Sequence, residues 1–333
     1  MREPPESKEV KEMYSLMIDS GAHSLQHNDF ADMIKNHCAN PNLKTINDFT
    51  HEELAAMRRR RARDGNYDPF SYYKTKEFWD YVDLYAKFIK TYGKGIDYYI
   101  NVDVIFQPQL SWDVLKYLEE EHGLNPIPVI HHNTDLKWLK KHIEAGYKYI
   151  GFGGLARQVP WQHYHLWGDQ VFEMLCDTPN RKPVIKAHGF AMTSFWLMKR
   201  YPWWSVDSAS WCKEAAYGAI YIPYKKKGRK GEYQFDKPPY SVFVSLRSPK
   251  RSLHGKHYLN ATQHQKMLVH EWLDYIDMPF GKVDSEGVVT ERGVGTYYNS
   301  RNMANLIAFE YFRKSLPEWP WTFEPTIKRK RLC

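Results

Sequence analysis

Four cysteines in 333 residues, Cys38, Cys176, Cys212 and Cys333, stand far apart, and none forms a C-x-x-C pair. A disulfide framework is thereby excluded, as is a Cys-rich zinc module, and the expectation is reduced thiols in a cytoplasmic protein. No run of eighteen apolar residues occurs, and the N-terminus opens with Arg2, Glu3, Glu6, Lys8 and Glu9 where a signal peptide needs an apolar core. Neither a membrane partner nor export is expected. There is also no G-x-G-x-x-G and no G-x-x-x-x-G-K-[ST] at a strand-to-helix junction, so a dinucleotide fold or a phosphate loop has no anchor. No cofactor is expected.

What is present is a foldable, basic and aromatic chain. Hydrophobic residues make up 43% and charged residues 26%, enough to bury a core and too apolar for disorder. Lys plus Arg number 47 against 39 for Asp plus Glu, a formal +8 that favours a polyanionic partner. The 24 Tyr and 12 Trp supply rings suited to stacking on bases as well as to an ordinary core.

From residue 96 short β-branched and aromatic runs alternate with amphipathic stretches. Runs at 96–105, 127–130, 147–152 and 183–187 are followed by helical patterns at 112–121, 136–144, 161–175 and 194–199, and further runs lie at 204–206 and 219–224. With 15–18 near the start and 241–246 later, about eight strands are expected in parallel βα units. The fold class is α/β, and the economical closure is a (β/α)8 TIM-type barrel spanning 1–333 as a single domain. Three additions are expected on it: a helical insertion at 26–95 after the first strand, a basic loop region at 225–260, and a C-terminal helical extension with a basic tail at 261–333.

Cationic residues cluster in these additions. The insertion holds Arg58, Arg59, Arg60, Arg61 and Arg63; the loop region holds Lys225, Lys226, Lys227, Arg229, Lys230, Lys250 and Arg251; the tail holds Lys328, Arg329, Lys330 and Arg331. Each alone reads as a solvated face, but together they point to nucleic-acid contact.

In a parallel barrel the chemistry gathers where strands end. The first run ends in Asp19-Ser20-Gly21, the second carries Asn101 and Asp103, and the third ends in His131-His132-Asn133. The fourth ends in Gly153-Gly154-Leu155-Ala156, the fifth in His188-Gly189 and the sixth in Asp207-Ser208. Asp19, Asp103 and Asp207 are three strand-end carboxylates, the residue type that glycosyl transfer uses to attack an anomeric carbon and to move a proton. An Asp at such a turn can equally cap the next helix. Because strand neighbours face opposite ways, only one of His131 and His132 is expected to line the mouth.

The segments Asp19-Ser20-Gly21, Gly153-Gly154-Leu155-Ala156 and Val206-Asp207-Ser208, in this order, resemble the guanine transglycosylase superfamily, which includes the queuine and archaeosine tRNA-ribosyltransferases. The likeness covers residues 15–211. It implies exchange of a guanine in nucleic acid for a free 7-deazaguanine base such as preQ0, through a covalent sugar–enzyme intermediate. By the resemblance Asp207 is the nucleophile on C1′ and Asp19 the general acid/base. Asp103 reads the guanine edge, Gly154 and Leu155 offer backbone bonds to the base, and Ser20, Gly21 and His188 line its pocket. His131 or His132 falls where the family has a glutamine.

The chain departs from the tRNA enzymes in having no zinc subdomain, in His23 where an aromatic is expected, and in Ala209-Ser210-Trp211 where Pro-Thr-Arg is expected. Those differences make it most similar to the 7-deazaguanine DNA transglycosylases of phages and bacteria. The expected partner is duplex DNA with a flipped target base, the enzyme acting alone or as a homodimer. Trp203, Trp204 and Trp211 are candidates to fill the gap or simply to form core. Three other functions compete: a tRNA-guanine transglycosylase, a metal-dependent barrel hydrolase with His131, His132, His188 and Asp207 on Zn or Mn, and a non-catalytic nucleic-acid-binding subunit.

Overall fold

The computed structural model describes residues 16–20, 76–104, 107–132, 134–154, 161–226, 231–246 and 257–325. The arginines of the insertion, His23, Gly21, Leu155, Lys227, Arg229, Lys230, Lys250, Arg251 and the basic tail lie outside the described residues. Two compact units are distinguished, Met1–Gly151 and Phe152–Cys333.

In the first unit β1 (Met17–Ile18) is followed by helix α1 (Lys76–Tyr92), which leads through a 3-10 turn into β2 (Tyr98–Tyr99). Helix α1 buries Phe78, Val82, Tyr85, Ala86 and Ile89, the spacing of one helical face. Strands β1 and β2 pair in parallel, and Ile100 bridges in parallel to Ile127. Helix α2 (Pro108–Glu120) starts with Pro at its first position and buries Val114, Leu115 and Leu118. Then come β3 (Val129–His131), α3 (Lys137–Glu144) and β4 (Tyr149–Gly153), with β3 beside β4. Val102 and Val104 join the α1 and α2 faces in one core cluster.

In the second unit the alternation continues with α4 (Trp161–Leu175), β5 (Lys186–Gly189), α5 (Phe195–Arg200), β6 (Ser205–Val206), α6 (Ser210–Ala216) and β7 (Ala219–Ile222). Strands β5 and β6 are parallel, and the Phe190 N–H donates to the Phe152 carbonyl at the end of β4. The molecule is thus a mixed α/β structure in which parallel strands alternate with helices.

That alternation stops after β7, and here the expectation of parallel units at 219–224 and 241–246 is corrected. Between those runs lie β8 (Tyr224–Lys225) and β9 (Tyr233–Gln234), an antiparallel pair, and β10 (Tyr240–Phe243) returns antiparallel to β7. No helix separates β7 from β10 among the described residues, so a strand returning this way pairs antiparallel. Two helices, α7 (Gln263–Tyr275) and α8 (Tyr298–Ser315), and a hairpin of β11 (Lys282–Val283) with β12 (Val289–Glu291) follow. Thr262 and Gln265 cap α7 reciprocally.

Helix α8 holds the second core from within. Buried Arg301 donates to the carbonyls of Ala215 and Val294, and buried Asn305 joins the Tyr221 N–H to the carbonyls of Trp211 and Ala219. Burial pushes the Arg301 guanidinium below its usual range, which those two carbonyl partners tolerate. Trp272, Leu273, Ile220, Ile222 and Ala304 pack around this frame. No helix among the described residues is long and apolar enough to cross a membrane.

Candidate active site

In the first unit Asp103 sits in an irregular stretch after β2, between the fully buried Val102 and Val104, and its N–H turns back to the Asn101 carbonyl. Ser111 fixes this stretch: its hydroxyl contacts both the N–H and the carbonyl of Val104, while its own carbonyl accepts from the Asn101 amide. Asp103 Oδ2 then stands 2.9 Å from His131 Nε2, and these side chains are only 11% and 8% exposed. Of the two adjacent histidines, His131 is the one beside the carboxylate, and His132 is buried as well.

Asp19 ends β1 and is exposed, whereas Ser20 is buried. The Tyr81 hydroxyl donates to the Ser20 carbonyl at 2.6 Å and the Tyr85 hydroxyl to the Ile100 carbonyl at 2.6 Å. Burial first, and the charge of Asp19 second, push both phenols above their usual range. They remain neutral donors that tie α1 to the ends of β1 and β2.

In the second unit Asp207 follows β6 directly. Its N–H donates to the Gly189 carbonyl, and its Oδ1 accepts from the Ala191 N–H at 2.6 Å. Ala191 itself has φ of 54°, a left-handed conformation that bends the chain immediately after this N–H. The turn is tight: a Cβ on Gly189 would meet Met192 Cβ at 2.8 Å and Trp203 Cε3 at 3.3 Å. The Asp207 side chain nevertheless remains 59% exposed, and Oδ2 makes no hydrogen bond among the described residues.

His188 lies behind this carboxylate. Its Nδ1 is 2.7 Å from Ser205 Oγ, its ring packs edge-on to Phe190, and its Nε2 is 3.9 Å from Asp207 Oδ1. Burial pulls the imidazole below the usual histidine range, and the Asp207 charge opposes that only in part. The side chain is thus neutral near pH 7. Gly154, just past β4, has φ of 75°, a conformation glycine takes without strain.

The structure therefore brings Asp103 to His131 in one unit and His188 to Asp207 in the other. Neither Asp103 nor Asp207 caps the helix that follows it, since Gln107 and Ala209 occupy those positions without a side-chain bond. Trp203 belongs to the core, 7% exposed and donating to the Leu197 carbonyl. Trp204 precedes β6, at the far end of that strand from Asp207, with Lys186 over its ring at 3.8 Å. Trp211 is half-buried four residues after Asp207.

Of the basic residues expected to meet nucleic acid, Lys225 is paired with Glu271 and Lys226 with Glu232 at 3.0 Å. Among the described residues no three His, Cys, Asp or Glu side chains are grouped as a metal ion would need. Sequence patterns do not reveal Ala191, because its contribution is a backbone N–H and not a side chain. Compared with protein-family models, with curated proteins and with solved structures, the chain matches nothing.

Proposed function

We propose that the protein is a DNA-guanine transglycosylase, built on a (β/α)8 barrel, that exchanges guanine for a 7-deazaguanine base through a covalent Asp207–deoxyribose intermediate. The observation that carries this reading is the Asp207 carboxylate. One oxygen is fixed by the Ala191 N–H, and the other is open to an incoming carbon. A carboxylate so oriented serves as a nucleophile without prior movement, and attack on each face of the sugar in turn retains its configuration.

The remaining roles follow the resemblance. Asp19, exposed at the end of β1, moves the proton to the leaving base and from the entering one. Asp103 with His131 reads the base edge: Oδ2 is committed to the imidazole, leaving Oδ1 as the acceptor for a ring N–H or exocyclic amine. Gly154, held with positive φ, presents backbone close to the ring. To reach C1′ the target nucleotide must leave the stack, at a cost of a few kcal/mol.

The test is to incubate the protein with radiolabelled guanine in duplex DNA or in tRNA, adding an unlabelled 7-deazaguanine, and to follow released guanine. Release from DNA that disappears in Asp207→Ala supports the proposal. Release from tRNA alone moves the substrate to RNA, and release from neither overturns it.

A further inference from the structure

Resting on that reading, the geometry points to His188 as a positioning residue for the second half of the exchange. Its Nε2–H and the Ala191 N–H together receive the charge that returns to Asp207 when the covalent intermediate breaks down.

The argument begins with the two oxygens of Asp207, which stand in different surroundings. Oδ1 has the Ala191 N–H at 2.6 Å and His188 Nε2 at 3.9 Å, whereas Oδ2 makes no hydrogen bond among the described residues. In the first displacement a lone pair of Oδ2 forms the bond to C1′. The C1′–N9 bond breaks, its electron pair leaves with guanine, and guanine takes a proton from the general acid. The carboxylate has then lost its charge to an ester whose carbonyl oxygen is Oδ1.

In the second displacement the N9 lone pair of the incoming base forms the new bond to C1′, and its N–H proton passes to the general base. The C1′–Oδ2 bond breaks and its electron pair returns to the carboxylate. Negative charge therefore grows on Oδ1 as well as Oδ2 while the carboxylate departs. Donors already aimed at the position of a growing charge lower the barrier without reorganising.

The tautomer of His188 follows from its two neighbours. Nδ1 faces the Ser205 hydroxyl, which can donate or accept, while Nε2 faces a carboxylate, which can only accept. The arrangement that satisfies both has Ser205 donating to Nδ1 and the proton on Nε2, directed at Asp207. Nε2 is buried and makes no hydrogen bond among the described residues. Only a small closing movement is then needed for it to meet the ester carbonyl, and packing on Phe190 holds the ring in that direction.

The experiment compares wild type, His188→Phe and His188→Gln in a single turnover on DNA, measuring released guanine and, on denaturing gels, the covalent protein–DNA adduct. The expected result for His188→Phe is that adduct breakdown is slowed about 10- to 100-fold more than guanine release, so that adduct accumulates. His188→Gln, which retains an N–H, is expected to restore part of the breakdown rate. Equal slowing of both half-reactions, or no change in adduct level, would overturn the inference.

A second measurement does not depend on turnover: ¹⁵N resonances of the wild-type imidazole should show a protonated Nε2 and an unprotonated Nδ1. A proton on Nδ1 would overturn the inference whether or not the variants fold. Wild type that exchanges no base on DNA or tRNA while showing the Nε2–H tautomer would instead remove the proposed reaction and leave the Asp207–His188 pairing standing.

Discussion

Asp207 directly follows strand β6 and Asp103 lies four residues after β2, yet the chain treats the two carboxylates in opposite ways. Asp103 is 11% exposed, flanked in sequence by two fully buried valines, and one of its oxygens meets the His131 imidazole. Asp207 is 59% exposed and held by a single backbone N–H from a left-handed turn. A carboxylate fixed by a buried side chain is suited to reading a ligand, since its geometry cannot drift. One fixed through a single oxygen, with the other open, is suited to forming a bond. The difference arises from where each strand ends relative to the core rather than from the residue type.

The strongest way to break this comparison is Asp207→Asn. On the proposed reaction, base exchange should fall by about 10³-fold or more, because an amide is a poor nucleophile. Urea unfolding should shift by less than about 0.5 kcal/mol, as for other exposed positions. A large stability loss together with retained exchange would show that Asp207 is structural.

Asp103→Ala should give the opposite pattern in stability. It leaves the His131 imidazole buried without its partner, at a cost of about 1–3 kcal/mol in urea unfolding at pH 7. Asp103→Asn should recover part of that loss, and on the proposed reaction both variants should accept bases other than guanine more readily than wild type does.

Acid sharpens the contrast between buried imidazoles and exposed carboxylates. His142, whose Nδ1 is 2.7 Å from the Trp138 carbonyl, and His188 are both held below the ordinary histidine value of 6.5, in each case mainly by burial. Between their folded values and about 6.5 the unfolded chain binds more protons, so stability rises with pH across that window. Their contribution is complete above about pH 6.5 and is lost as pH falls through the folded values. Chemical denaturation from pH 7.5 to 5 should show this slope, and His142→Phe, which retains the ring against Trp112, should flatten it.

The smallest effect is expected at the surface. Lys226→Ala removes a pair that is 45% exposed on each side, and unfolding free energy should change by less than about 1 kcal/mol. Nucleic-acid affinity measured at two salt concentrations should also change little, because Glu232 already balances that charge.

Much of the strand–helix succession is legible in the sequence, and the reason is physical. Helix α4 occupies 161–175 as its amphipathic pattern suggests. The pattern fails where an element is too short to have a period. Strands β8 and β9 have two residues each, and α6 has seven. It fails again at β10, since the sense of pairing is set by the path between strands, not by the strand itself. Within the candidate site the carboxylates and histidines can be named from sequence, whereas the turn at Ala191 and the pairing of Lys225 and Lys226 emerge only in three dimensions.

The clamp made by Arg301 and Asn305 also imposes an order of events during synthesis. The core cluster of the first unit is assembled from residues 78–118, so it can close while later residues are still unmade. In the second unit, strand β7 and helix α6 depend for their buried polar partners on side chains of α8, which are translated more than eighty residues afterwards. On the ribosome the nascent second unit therefore waits with apolar strands uncovered, and that interval is where chaperones have the most to bind.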